Sequence, residues 1–375
     1  MTKIPRNEII ATVCFIAITV AMFFISKIEA VSEWLTRHIY IPMANTFGST
    51  FEHLEFAVFE VFLFLLAAAA VILIAFSIYY FVHKNKERGL RLLTTLFLVV
   101  SIVVFHYVSM ASTMYNRKPL DVPEETTLLN KDQVHNIAVE YFADFLDVAS
   151  KIDANEDGSS KCPYTEKEII ELLKKEYDKL NSDYFATHTA SPKPVASSYL
   201  MNAFSITGIT YIPTFEPGYN YKLYDFQKCA TIAHEIAHTK GIMREDDANE
   251  LAYYMLLNSE NSYLRYVGYL YTYSYMVSAV RLTNDDMEIT VPYKAYMDKI
   301  KAYQYWEEKG VFSKLGDWIN SLYLKSNSQD GTDSYISYDE HEEETIIDDE
   351  GHEKTIYQVL SFSHIQNMIF ALYNN

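Results

Sequence analysis

Cysteine is scarce, three in 375 residues with one inside an apolar run, and that count excludes a disulfide scaffold. Basic side chains are also short: 31 Lys and Arg stand against 49 Asp and Glu, a formal charge of −18. The shortage is uneven. Residues 1–110 carry 8 basic and 7 acidic groups, whereas residues 111–375 carry 23 and 42. An acidic surface of that extent repels phosphate, so nucleic acid is not an expected partner. No internal repeat is present. Charge of either sign is missing from long stretches near the N-terminus, which excludes a soluble cytosolic enzyme.

Those stretches are three. Ile9–Ser26 has no charge in 18 residues, Phe56–Val82 has only Glu60 in 27, and Leu92–Met110 has only His106 besides tyrosine. About 20 apolar residues cross a ~30 Å hydrocarbon layer, so all three read as transmembrane helices and the lipid bilayer as a partner. The first is not a cleaved signal peptide, because no small-residue cleavage site follows it and two more spans do. Lys3, Arg6, Lys84, Lys86, Arg88 and Arg91 flank the spans on one side, against Lys27 and Arg37 on the other. Positive charge stays inside, which puts the N-terminus in the cytoplasm and residues 111–375 outside. At 1.5 Å per residue, Glu60 and His106 differ by about 12 Å in depth, so no direct pair is expected. Glu60 is placed among the headgroups and His106 near the outer interface.

Beyond the spans the pattern is mostly helical. Asp121–Glu125 is a polar joint. Helical spacing runs over Lys131–Ser150, over a helix opened by Thr165 and Glu168 in capping-box spacing and reaching Leu180, and over Tyr263–Val280, Tyr293–Lys309 and His364–Tyr373. Asp153–Gly158 imitates the start of a calcium loop. Its twelfth position is Tyr164, where a bidentate carboxylate is required, so it reads as an acidic turn. Ser205–Phe215 is rich in Ile, Thr and Tyr and reads as a strand or hairpin. Ser326–Glu353 is polar and acidic, an exposed hairpin or a disordered loop, with a turn at Asp349–Gly351.

Chemistry concentrates in DFQKCATIAHEIAHTKG, Asp225–Gly241, with Asp225 as N-cap and Gly241 past the C-terminus. His234 and His238 are four apart, so they project from one helical face and can converge on one zinc ion. Glu235 can lean over the water on that ion, the HExxH arrangement of zinc metallopeptidases. Ala230, Ala233 and Ala237 suit a helix packed inside a domain. A catalytic zinc needs a third ligand, and the acids Glu245, Asp246, Asp247 and Glu250 open the next helix. Glu245 and Asn249 share a face one turn apart, so Glu245 can bind zinc while Asn249 orients a ligand. Cys229 lies on another face and is no ligand; it and Cys162 read as free thiols or as a pair.

His234-Glu-Ile-Ala-His238, Gly241 and Arg244-Glu-Asp-Asp-Ala-Asn249 resemble gluzincin-like peptidases, in which the Glu of such a second motif is the third ligand. The whole chain resembles the bacterial membrane-protein family catalogued as domain of unknown function 3810. That resemblance rests also on Trp34-Leu-Thr-Arg-His-Ile-Tyr40, Tyr115-Asn-Arg-Lys-Pro-Leu120, Ile206–Pro213, Tyr323-Leu-Lys325, Gly331 and Ser334-Tyr335. It differs at Asp247, where the family usually has Glu, and in the acidic stretch Asp339–Glu353, which looks like an insertion.

The expected architecture is an integral membrane protein with spans at 9–26, 56–82 and 92–110. A linker follows at 111–130, and then a mostly α-helical (α+β) zincin-like metallopeptidase domain over 131–375, with a small β element and an acidic loop at 326–353. The expected activity is peptide hydrolysis outside the bacterial cytoplasmic membrane, with one zinc on His234, His238 and Glu245. Glu235 activates the bound water and passes the proton to the leaving amine. Tyr263, Tyr266 and Tyr269 are candidates for the oxyanion donor, Tyr266 foremost. The 205–213 strand can bind an extended substrate by edge pairing. Two other readings compete: a non-catalytic zinc-stabilised receptor or scaffold, and a zinc amidase acting on cell-wall peptide.

Overall fold

The computed structural model describes residues 5–120, 128–348 and 351–374. The polar joint at Asp121–Glu125 and two residues of the turn at Asp349–Gly351 lie outside them. Among the described residues, three helices are long and apolar enough to cross a membrane: α1 (Arg6–Ile25), α4 (Val58–Val82) and α5 (Lys86–Met110), the last continuing into a 3-10 turn at Ser112–Asn116. Between α1 and α4 the chain forms α2 (Glu29–Leu35), a π turn (Thr36–Tyr40) and α3 (Ile41–Phe47).

The remainder is mostly helical: α6 (Lys131–Ser150), α7 (Glu166–Tyr177), α8 (Ser198–Ala203), α9 (Asp225–Thr239), α10 (Glu245–Leu257), α11 (Ser262–Leu282), α12 (Tyr293–Lys309), α13 (Ser313–Ser326) and α14 (His364–Tyr373). Capping boxes open α6, α7 and α14, Asn130 with Gln133, Thr165 with Glu168, and Ser363 with Gln366, each satisfying two backbone donors that a helix start leaves open. A small sheet joins β1 (Lys193–Pro194), β2 (Gly208–Tyr211) and β3 (Glu216–Tyr219) in the order β1-β3-β2, so β2 is an edge strand. The acidic stretch 326–353 divides. Its first part forms a 3-10 turn at Gly331–Tyr335, and the rest makes the antiparallel hairpin of β4 (Glu340–Ile347) and β5 (Glu353–Ser361).

The main core is built by the apolar faces of α6, α7, α9, α10, α11 and α14, with Tyr141, Phe145, Ile236, Leu256, Tyr266 and Ile369 essentially closed to solvent. A second core, holding Tyr40, Ile41, Met114, Tyr115, Phe215, Met243 and Leu324, joins the segment between α1 and α4 to the large domain. Its Met114 and Tyr115 correct the expectation of a linker at 111–130: residues 111–117 are packed structure rather than a tether.

Charge reinforces that junction. The Glu216 carboxylate accepts from the backbone N–H groups of Val58 and Phe59 at 3.1 and 2.9 Å, capping α4 from outside the helix. Glu60 answers from the first turn of α4, accepting from the N–H groups of Ala196 and Ser197 at 2.6 and 2.9 Å and from the Ser197 hydroxyl at 2.7 Å. Each carboxylate thus meets donors that a helix start leaves unsatisfied. Glu60, expected among the headgroups, is buried against protein in the first turn of α4. Arg117, 3 % exposed, fills the remaining gap, donating to Glu33 and to the carbonyls of Tyr184 and Gly241. The start of α4, the turn after α5 and the segment after α1 therefore all meet the large domain.

Candidate metal centre

The N-cap of α9 is Tyr224, one residue before the expected Asp225, and its backbone N–H is taken by the Gln227 side chain. At the other end Gly241 sits at φ +102°, a conformation that glycine tolerates and that turns the chain sharply toward α10. Ala233 and Ala237 are fully buried, which lets α9 lie deep in the domain.

Helical spacing brings the rings of His234 and His238 to 4.6 Å between centroids. The turn at Gly241 returns the chain so that Glu245, the first residue of α10, meets both: its Oε2 lies 3.2 Å from His234 Nε2 and 3.6 Å from His238 Nε2. The three ligand atoms fall within 4.8 Å of one another. The other imidazole nitrogens are held in place. His234 Nδ1 donates to Asn249 Oδ1 at 2.8 Å, and His238 Nδ1 donates to the Ile242 carbonyl at 2.7 Å. With Nδ1 occupied in this way, each ring turns its Nε2 toward the Glu245 carboxylate, so that a neutral ring would have its Nε2 lone pair free for a metal ion. Asn249 is fixed in turn by donating to the Tyr335 carbonyl at 2.8 Å.

The electrostatics separate the two histidines. Burial opposes charging His234, yet the Glu245 carboxylate beside it holds its pKa above the usual value. Burial pushes His238 down to about 4 despite the same carboxylate. Two imidazoles and one carboxylate in a largely closed site make a donor set that fits a tetrahedral zinc with one position left over.

Of the four acids considered for the third ligand, the structure brings only Glu245 to the histidines. Asp246 pairs with Arg244 at 3.0 Å, and Asp247 accepts from the Leu120 backbone N–H and faces Arg244. Glu250 is fully buried, with neither carboxylate oxygen hydrogen-bonded among the described residues.

Glu235 is outside the triad. It is buried on the side of α9 that faces β2, and its Oε2 accepts from the Thr210 hydroxyl at 2.7 Å. Burial raises its pKa to about 7, with the charge of His234 and the Thr210 bond working the other way. Gly208 explains how strand and helix come so close, since a Cβ there would collide with the Glu235 side chain. A family model described as "Protein of unknown function (DUF3810)" matches residues 35–338, well over half the chain. The chain belongs to that family. No curated protein and no solved structure matches it.

Tyr266 is not brought to this cluster. Its hydroxyl donates to Asp298 at 2.7 Å in the main core, a buried partnership that holds the ring between α11 and α12. Tyr263 is buried in the same core, and Tyr269 bonds Tyr373 and Asp144. Tyr335 stands at the site instead, its ring 6.4 Å from that of His234 and its hydroxyl accepting from Asn320 Nδ2 at 3.1 Å. Tyrosine abundance hid it: 31 are present, and the acidic stretch around it carries no helical or strand period to place it. Thr210 was also missed as a site residue, although its strand was recognised. Cys162 and Cys229 are both free thiols. The mimic of a calcium loop is engaged internally, Asp157 binding Ser159 and Lys301.

Proposed function

We propose that this protein is a membrane-anchored, zinc-dependent peptide hydrolase whose large domain is zincin-like. The observation that carries the reading is the division of labour at α9. Three groups share one small volume with their Nε2 and carboxylate atoms convergent, while the carboxylate between the two histidines in sequence is excluded from that set. A purely structural site has no use for a buried acid held beside it. Zinc on His234, His238 and Glu245 would supply a Lewis acid and an acidified water. Glu235 holds or takes a proton at its carboxylate, a task that suits a group whose pKa sits near neutrality. Asn249 and the Ile242 carbonyl keep the imidazoles oriented. Tyr335 replaces Tyr266 as the candidate donor to a developing oxyanion, because its hydroxyl proton is left over when it accepts from Asn320. The open edge of β2, which carries Thr210, would take an extended peptide by strand addition.

By the distribution of Lys and Arg, the N-terminus and the α4–α5 turn lie in the cytoplasm of a bacterial cell and the large domain lies outside the cytoplasmic membrane. The test is metal content of the purified full chain together with turnover of a peptide library. About one zinc per chain is expected in the wild type and in Glu235→Gln, and none in His238→Ala or Glu245→Ala. Glu235→Gln should keep the metal and lose turnover. A wild type that binds no zinc when metal is plentiful ends this reading, and full turnover by Glu235→Gln ends the role of Glu235.

A further inference from the structure

Helix α13 has two faces of opposite character. Toward the protein it packs Gly316 against the Phe204 carbonyl, buries Leu324 completely and directs Asn320 to Tyr335. On the opposite side Leu315, Trp318, Ile319 and Leu322 follow i, i+3, i+4, i+7 spacing and are 46, 61, 49 and 51 % exposed, a continuous apolar stripe. Lys314 and Lys325, both exposed, border it.

The attachments of this helix fix where the stripe lies. Past its C-terminal end, Asn327 Nδ2 donates to the Tyr107 hydroxyl at 2.7 Å, one turn from the end of α5, and Ser328 accepts from Lys27 at 3.0 Å, just beyond α1. Before its N-terminal end, the Phe312 N–H donates to the carbonyl of Ala203, the last residue of α8. The start of α8 is in turn bound to Glu60 in the first turn of α4. The C-terminal end of α13 is therefore tied directly to the level at which α1 and α5 finish, and its N-terminal end is joined to α4 through α8.

We infer that α13 is an interfacial helix whose Leu315–Leu322 face is buried in the headgroup boundary of the same bilayer that α1, α4 and α5 cross. The occupant of the stripe is lipid, because the helix is tethered beside the ends of α1 and α5 and its tryptophan and bordering lysines are the side chains favoured at a membrane–water boundary. The reading rests on α1, α4 and α5 being membrane spans and is independent of metal chemistry. It also has a consequence for the metal centre. The protein-facing side of α13 supports Tyr335 through Asn320, so the cluster is held close to the membrane surface.

The test uses the full chain in bilayers containing phosphatidylcholine brominated either high on the acyl chains or near their ends. Trp34 and Trp306 are replaced by Phe so that emission reports Trp318 alone. Should that variant not fold, the difference between wild type and Trp318→Phe gives the same signal. Strong quenching by the shallow bromines, weaker quenching by the deep ones and protection from aqueous iodide are expected for burial roughly 5–10 Å into the boundary. Quenching by iodide with no effect of bromine would show a solvated face and overturn the inference. Protection from both would show the stripe covered by protein, and stronger quenching by deep bromines would show a submerged helix; either result also overturns it.

Discussion

The junction between the apolar helices and the large domain and the cluster along α9 and α10 both bury several charged groups, but they treat them oppositely. At the junction every buried charge described above has its complement. Glu216 and Glu60 cap helix starts, and Arg117 meets a carboxylate and two carbonyls. Around the metal centre the acids outnumber the cations. Glu235 has one hydroxyl, Glu245 has two imidazoles, and Glu250 has no hydrogen-bond partner among the described residues. Paired buried charge holds parts together, and removing one member strands the other. A buried acid without a partner costs stability and persists where something other than stability needs it.

The largest way to break this contrast is Arg117→Ala. It leaves Glu33 and the carbonyls of Tyr184 and Gly241 without their shared donor and removes a guanidinium stacked 3.7 Å from the Tyr184 ring. A loss of about 3–5 kcal/mol is expected, read as the unfolding midpoint of the detergent-solubilised chain. Arg117→Lys should recover only part, since one ammonium does not reproduce a planar fork of donors. An unchanged midpoint would mean that the junction is not held by charge.

Glu250→Gln should act in the reverse direction. Burial first, and then the charges of Asp247 and Asp246, raise the Glu250 pKa from 4.5 to about 9. A carboxyl raised in the folded state contributes stability that is complete below its unfolded pKa and is lost as pH climbs through the folded one. The wild type should therefore lose stability from about pH 4.5 up to about pH 9, by roughly 1.4 kcal/mol per pH unit at most. Gln imitates the protonated acid. The variant should match the wild type near the acid end and exceed it by on the order of 3 kcal/mol at neutral pH. Equal pH slopes for the two proteins would show that Glu250 finds a partner in solution.

How much of this could be read from the sequence follows the range of the forces. The apolar runs of α1, α4 and α5, the capping box at Thr165 and Glu168, and the histidine pair on α9 are local patterns, and the structure contains each as a helix or helix face. The convergence of Glu245 depends on one glycine turn and was within reach. What was missed is long-range. Glu60 was read as a lone charge in an apolar run because its partners are at 196 and 197. Residues 111–117 read as linker in sequence because the packing of Met114 and Tyr115 involves α3, Phe215 and Met243 rather than any period of their own. Tyr266 is near the motif only along the chain, whereas its carboxylate partner is Asp298.

Glu216→Ala should cost about 2 kcal/mol, the worth of two charge-assisted bonds to an open helix start. Glu216→Gln, which keeps one acceptor oxygen, should cost about half as much. The same thermal unfolding series checks both, and equal losses for the two would assign the effect to packing rather than to capping.

The smallest expected effect tests the contrast from the side of the cluster. Thr210 bonds Glu235 twice over, its hydroxyl lying 2.7 Å from Oε2 and 3.0 Å from the backbone carbonyl, but it has one proton to donate. Thr210→Val keeps the shape of a strand residue and removes that donor, so it should cost about 1 kcal/mol, with Thr210→Ser close to wild type. In a Glu235→Gln background the amide oxygen still accepts the hydroxyl, though without charge. The penalty of Thr210→Val should therefore shrink but not vanish, and the double-mutant cycle isolates the charge-dependent part. A penalty as large as that of Glu216→Ala would show Glu235 to be as firmly held as the junction acids. The difference between the two regions would then lie in the metal ligands and Glu250 alone.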